Sequence, residues 1–209
     1  MLFRSILIKF HRNVTVKIAR HLVIKIWKEH KKDFIDLLAK HNVNFIWHIT
    51  KLSNLNSILK HKHLFSLNEL KNKNINFNTS SNDLSKKLDI DKNTHDYVRF
   101  SFTINNPMFK KFLDRYPGDN FCILKMSVFD MISLDNVVFS NINAADKNAL
   151  FFNDLDNFMN LDFRSFKIKN EITYNMREFK TSQSEIMILK QVPLDKLTIA
   201  KLYVQRKLP

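Results

Sequence analysis

Glycine, cysteine and acid are all scarce in this chain of 209 residues. Gly118 is the only glycine, so neither a P-loop nor a Gly-rich dinucleotide fingerprint can form, because each needs several glycines to bring backbone up to phosphate. Cys122 is the only cysteine, which excludes an intramolecular disulfide and suits a reducing compartment. It lies in the strand-like run Phe121-Cys-Ile-Leu-Lys-Met-Ser127, where it reads as a small buried hydrophobe rather than a nucleophile. Acids number 20 against 34 Lys and Arg, a net charge of +14. Such an excess points to a polyanionic partner or an acidic membrane surface. The abundance of Lys, Asn, Ile and Phe also fits an AT-rich coding sequence, which discounts that signal without removing it. Long apolar runs are missing as well: charges break every one well short of a membrane span, and no uncharged h-region of a signal peptide is present. The expectation is a cytoplasmic protein with no membrane association.

Metal signals fail on inspection. Asp89-x-Asp91-x-Asn93 begins like a calcium loop, but position six is Thr94 and position twelve is Phe100, where glycine and glutamate are required. His61-x-His63 has no third ligand of matching kind nearby, so zinc is not expected. No metal is assigned.

Hydrophobic residues make up 44% of the chain, enough for one domain with a large core. Residues 1–43 read as a basic helical extension and 44–209 as the main domain. In the extension Val14, Ile18, Leu22 and Ile26 recur at helical spacing among many Lys and Arg, and a second helix from about Asp33 to His41 buries Phe34, Leu37 and Leu38. The main domain mixes strands and helices. Strand patterns cover Phe45–Ile49, Tyr97–Thr103, Phe121–Ser127, Val137–Ser140, Ile186–Leu189 and Leu197–Val204. Ser53 is an expected N-cap, Ser66-x-x-Glu69 a small capping box, and Pro107 opens a helix at its favoured first position. Residues 71–96 read as a polar surface loop, and 146–160 as a helix with Leu150, Phe151, Leu155, Phe158 and Met159 inward. No internal repeat is present.

Chemistry concentrates where the polar run Thr181–Ser184 becomes the buried strand Ile186–Leu189. Glu185 stands at that junction, and a carboxylate at the mouth of a buried strand is partly desolvated, the usual way of tuning a catalytic acid or base. Alternation along a strand gives Gln183 and Glu185 one face. His48 and Thr50 share a side of their strand and can hydrogen-bond a ribose edge. Arg99 shares a side with Ser101 and Thr103. Lys110, Lys111 and Arg115 form the basic side of the helix after Pro107.

Four segments in this order resemble the DarT-type DNA ADP-ribosyltransferases. They are Trp47-His-Ile-Thr with Asn54-Leu and Ile58-Leu; Val98-Arg-Phe-Ser-Phe with Asn106-Pro-Met108; Val138-Phe-Ser with Asn143-Ala144; and Gln183-Ser-Glu-Ile. The resemblance covers about residues 45–200. It implies an α/β (α+β) fold with a split antiparallel sheet flanked by helices and NAD in the cleft. It further implies a mono-ADP-ribosyltransferase that uses NAD as co-substrate to modify a base in single-stranded DNA. Such an enzyme acts as the toxin of a toxin–antitoxin or phage-defence system and is countered by a macrodomain-type antitoxin.

Carried over by resemblance, His48 and Thr50 hold the NAD ribose and nicotinamide side with Asn54 beside them, Glu185 is the catalytic glutamate, and Gln183 meets the acceptor base. The arginine that many members place before the central strand has no match in 78–96, and Arg99 is the nearest substitute. The family glycine after the first helix is also replaced, around Lys60–His63. Tyr97 or Phe102 would stack on nicotinamide or on an unpaired base, with core packing as the alternative for both rings and the preferred reading of Phe102. Lys110, Lys111 and Arg115 would track the DNA backbone. The expected assembly is a monomer. Transfer to RNA or protein, and a non-enzymatic basic nucleic-acid binder, remain the competing readings.

Overall fold

In the computed structural model, residues 30–78, 83–167 and 175–204 are described. The first helix of the expected extension lies outside them. Alternating apolar residues draw the described chain into one seven-stranded antiparallel sheet. In chain order its strands are β1 (Phe45–Lys51), β3 (Tyr97–Ser101), β4 (Phe121–Ser127), β5 (Val137–Ser140), β6 (Phe151–Phe152), β7 (Glu185–Leu189) and β9 (Thr198–Tyr203), arranged β6-β5-β7-β3-β1-β4-β9. A separate pair joins β2 (His63–Phe65) to β8 (Gln191–Pro193).

The sheet is split in the middle. Every residue from Phe45 to Lys51 of β1 has a partner on β4, and Tyr97–Ser101 of β3 pair throughout with β7. Between β1 and β3 the single register pair is Trp47 with Ser101. Beyond it the two halves diverge and leave an opening.

One face of the sheet is packed by phenylalanine. Val98, Phe100, Phe139, Ile186 and Ile188 are buried there against helix α1 (Lys31–Lys40), which contributes Phe34 and Leu38. Phe34, Phe139 and Phe158 pack ring on ring, one pair stacked and two tilted, with centroids 4.5–5.7 Å apart, and aromatic pairs of this kind add about 0.5–1.5 kcal/mol each beyond their burial. The second helix of the expected extension is therefore part of the domain core, with Leu37 only partly buried. The opposite face carries Trp47, Arg99, Ser101 and Glu185.

The remaining helices are α2 (Leu55–His61), α3 (Leu67–Asn72), α4 (Asp83–Asp91), α5 (Pro107–Arg115), α6 (Val128–Ser133), α7 (Leu155–Met159) and α8 (Met176–Thr181). Two expectations are corrected by them. Residues 71–96 are not one loop, because α4 and a helical turn at Thr94–Asp96 form within them. Residues 146–160 are not one helix: only Leu155–Met159 is helical, while Phe151 pairs with Ser140 and leaves Leu150 65% and Phe151 40% exposed. At α2 the residue preceding the helix is Asn54, with no side-chain cap, and Ser53 instead accepts from Asn78.

A glycine-poor chain must make its turns with other residues. The left-handed positions among the described residues are Asn42, Lys62, Asn74, Asn93, Asn136 and Lys190. Asparagine tolerates this region best after glycine, which explains four of them. Lys62, at φ 58°, makes the turn after α2 where the family glycine is missing, at a cost of about 1–2 kcal/mol.

Candidate active site

Glu185 is the first residue of β7 and pairs with Ser101, which pairs with Trp47 across the split. Its backbone N–H donates to Ser140 Oγ at 3.1 Å, and its Oε2 accepts the Ala144 N–H at 2.9 Å. The loop carrying Ala144 is tied down on both sides. Ser140 Oγ donates to Ile142 O (2.6 Å), Ser184 Oγ to Asn141 O (2.7 Å), and Lys92 Nζ to the carbonyls of Ala144 (3.4 Å) and Asp146. The carboxylate is thus aimed by the backbone around it. Burial pushes its pKa above the usual carboxylate range; Arg99 and the Ala144 amide pull it back, and Asp89 adds a further push upward.

Arg99 stands on the same face as Glu185, two residues from Ser101, with Nη1 at 3.7 Å from Glu185 Oε2. Its Nη2 donates to Asp89 Oδ1 and, at 2.8 Å, to Thr94 Oγ1. One guanidinium therefore sits between two carboxylates. Asp89 and Thr94 belong to the 71–96 segment expected as a surface loop, and nothing in their spacing links them to Arg99. The nearest signal in the sequence is Leu84-x-x-x-Leu88, an apolar pair at helical spacing beside the acid.

His48 fills the space where the sheet parts. Its Nδ1 lies 2.8 Å from Arg99 O, and a carbonyl only accepts, so Nδ1 carries the proton and Nε2 keeps its lone pair. Burial lowers its pKa, with the Arg99 carbonyl pulling the other way. The ring is neutral near pH 7 and can accept a hydroxyl or amide proton from a ligand.

These groups converge on a cavity of about 300 Å³, at the lower end of the range for ligand pockets. His48, Asp89, Arg99, Ser101 and Glu185 supply polar walls, with Trp47, Phe100, Phe109 and Phe112 as apolar ones. Tyr97 and Arg115 also line it.

Other candidates fall outside the lining. Thr50 is buried and accepts from Asn54 Nδ2 at 3.1 Å; Asn54 in turn clamps the backbone of Asn78 by bonds of 2.8 and 2.9 Å. That pair fastens the 71–78 segment beside the site. Phe102 packs in the core and is not a ligand-stacking ring: it is 3% exposed and stacks on Phe166 at 4.8 Å, from the bend that follows Ser101, the last residue of β3. Gln183 lies in the turn before β7, not on the strand, and its Nε2 donates to Phe179 O at 2.9 Å. It therefore does not share a strand face with Glu185. Lys110 and Lys111 are exposed on α5, the latter 5.2 Å from the Phe179 ring. Among the described residues no group of three or more His, Cys, Asp or Glu is placed to hold a metal ion, and no helix is long and apolar enough to cross a membrane.

Comparison with solved structures places the fold. Thermus sp. 2.9 DarT in complex with ADP-ribosylated ssDNA superposes with a TM-score of 0.63 at 19% identity, over 79% of this chain and 84% of that one. The same protein in complex with NAD+ gives 0.58 at 19% identity, with the same coverage. Thermosipho africanus DarTG in complex with ADP-ribose gives 0.59 at 16% identity, over 76% of this chain and 44% of that one. No curated protein matches the chain. The family model described as "ssDNA thymidine ADP-ribosyltransferase, DarT" matches residues 47–207, which include the whole cavity wall described above. The chain belongs to the DarT family of single-stranded DNA thymidine ADP-ribosyltransferases.

Proposed function

We propose that the cavity between β1 and β3 is where this enzyme cleaves NAD and passes ADP-ribose to a thymine base of single-stranded DNA, with Glu185 as its catalytic carboxylate. The observation that carries the reading is the meeting of Glu185, Arg99 and the neutral His48 around one hollow. Breaking the bond between nicotinamide and ribose passes through an oxocarbenium-like state, and a fixed anion gains value as that positive charge develops. Glu185 accepts the ribose 2′-OH, steadies the cation, and takes the proton from the base nitrogen as that nitrogen bonds to the ribose carbon. Nicotinamide leaves with the bonding electrons.

Arg99 neutralises the pyrophosphate or steadies Glu185, and its planar fork suits either anion. The Nε2 lone pair of His48 receives a ribose hydroxyl or the nicotinamide amide. Tyr97 stacks on a flat ring in the cavity. Arg115 at the cavity, with Lys110 and Lys111 on the same helix, meets the DNA backbone. Thr50, Asn54 and Gln183 act one step away, by holding the segments that frame the site. The mechanism needs no metal.

A toxin countered by a macrodomain-type antitoxin, acting in the cytoplasm as a monomer, fits this activity, and the likeness to DarTG supports the pairing. Labelled NAD offered with single-stranded DNA, RNA or protein decides the acceptor. Label is expected on thymidine-containing DNA and absent in Glu185→Ala. Label on RNA or protein instead would move the acceptor, and NAD untouched by every acceptor would leave a basic nucleic-acid binder.

A further inference from the structure

The sheet face that holds Glu185 continues past the cavity toward the β9 edge. Trp47 lines the cavity; its register partner is Lys125 on β4, and the partner of Lys125 is Thr198 on β9. Ile49, also in the lining, pairs with Ile123, which pairs with Lys201. Direct cross-strand partners share a face, and neighbouring strands are about 5 Å apart. Lys125 and Lys201 therefore stand one and two strands out from the cavity wall, on the side of Glu185.

Each of these lysines lies over a ring: Lys125 Nζ is 4.3 Å from the Phe45 centroid, and Lys201 Nζ is 4.3 Å from that of Tyr203. Phe45 is 38% exposed and its ring is 6.3 Å from that of Trp47. Lys51, further along β1, differs in being paired with Asp119 at 2.7 Å. None of the register positions on this face of β1, β4 and β9 holds an acid. A face kept only for solubility has no use for rings laid out beside the cations. Lysines alternating with aromatic rings fit a single strand, whose phosphates need cations and whose bases need flat surfaces.

Phe121 and Ile123 on this face are buried, so its accessible part is the rim around them. We propose that this rim, carrying Phe45, Lys125 and Lys201, is the track for the single-stranded DNA flanking the target thymidine, with Lys125 and Lys201 meeting phosphates and Phe45 stacking a base. The proposal rests on the transferase reading of the cavity, and the net charge of +14 complements the polyanion it names. Its test measures affinity of the full chain for two dye-labelled thymidine-containing oligonucleotides, one no longer than the cavity accommodates and one extending well beyond it, across a salt series without NAD.

Lys125→Glu and Lys201→Glu are each expected to weaken the long oligonucleotide several-fold, and to lower the slope of log affinity against log salt by about 0.7 for each phosphate left without its lysine. The short oligonucleotide should bind as before. Lys125→Arg should retain the long-strand affinity. Phe45→Ala should weaken the long strand on the order of five-fold without changing the slope. Unchanged long-strand affinity and slope in both Glu variants would overturn the proposal, including the case where an antitoxin protein loses its grip on them instead. Basal NAD cleavage should be unchanged in the variants, as a check on the fold. If the wild type transfers no label to DNA, the catalytic reading fails, while the binding series still decides the track.

Discussion

Glu185→Gln separates what the carboxylate does for the reaction from what it costs the fold. The side chain is only 15% exposed, and burial outweighs Arg99 and the Ala144 amide in setting its pKa above the ordinary range. A carboxyl raised in the folded state makes the fold lose stability as pH rises through that raised value. Below the ordinary value near 4.5 it is protonated in both states, and the handicap is absent. Each unit by which folding raises a carboxyl is worth about 1.4 kcal/mol, and each kcal/mol moves Tm by roughly 2–4 °C for a chain of this size. Glutamine keeps an oxygen for the Ala144 N–H and removes the charge. The variant should lose about 10²–10⁴-fold or more in transfer rate, yet melt a few degrees higher than wild type near pH 7, with the gap closing toward pH 4. Paired melting curves across that range, beside the labelled-NAD assay, read both effects. A variant less stable than wild type at neutral pH would refute the reasoning, because it would mean that the ion pair with Arg99 outweighs desolvation.

Three further outcomes follow from the same geometry. Arg99→Met leaves Asp89 and Glu185 facing each other without their shared cation, so thermal unfolding should report a loss of about 3–5 kcal/mol. The acid limb of the rate profile should also move to higher pH, since Arg99 holds the Glu185 carboxyl down; Asp89→Asn should move it the opposite way. His48→Asn keeps a donor for the Arg99 carbonyl but loses the Nε2 lone pair, so calorimetry should show weaker NAD binding, by about ten-fold for one hydrogen bond removed, with little change in stability. Because burial lowers the His48 pKa, wild-type stability should fall as pH drops below about 6.5, and this component should vanish in His48→Asn. Phe102→Ala should cost about 3–5 kcal/mol as a core cavity, while KM for NAD measured well below Tm stays unchanged.

Motifs that sit on one strand are legible from sequence. Glu185 stands out because a polar run meets a buried strand there, and His48 because strand alternation separates it from Trp47 and Ile49. Arg99 stands out through sharing a side with Ser101. Each of these needs only the local period of the chain. Phe102 departs from a ligand-stacking role because β3 ends at Ser101 and the bend after it carries the ring onto Phe166, whereas the strand pattern of the sequence runs on to Thr103 and does not show where the strand stops. Gln183 departs because the turn after α8 ends one residue later than the pattern suggests, and its amide is spent on Phe179 O. The helix within 71–96 is hidden because its Asp, Ser and Lys content masks a short apolar pair.

Composition alone excludes glycine-built phosphate loops and an intramolecular disulfide, and periodicity alone sets most strands of the domain, because it depends only on neighbours a few residues apart. The partners of Arg99, the tautomer of His48 and the backbone amide that aims Glu185 belong to contacts between different elements, a strand with a helix, a strand or a loop, whose residues are 10, 51 and 41 positions apart. Only the tertiary structure decides these, since the split between β1 and β3 is what opens a desolvated space in which such distant groups meet.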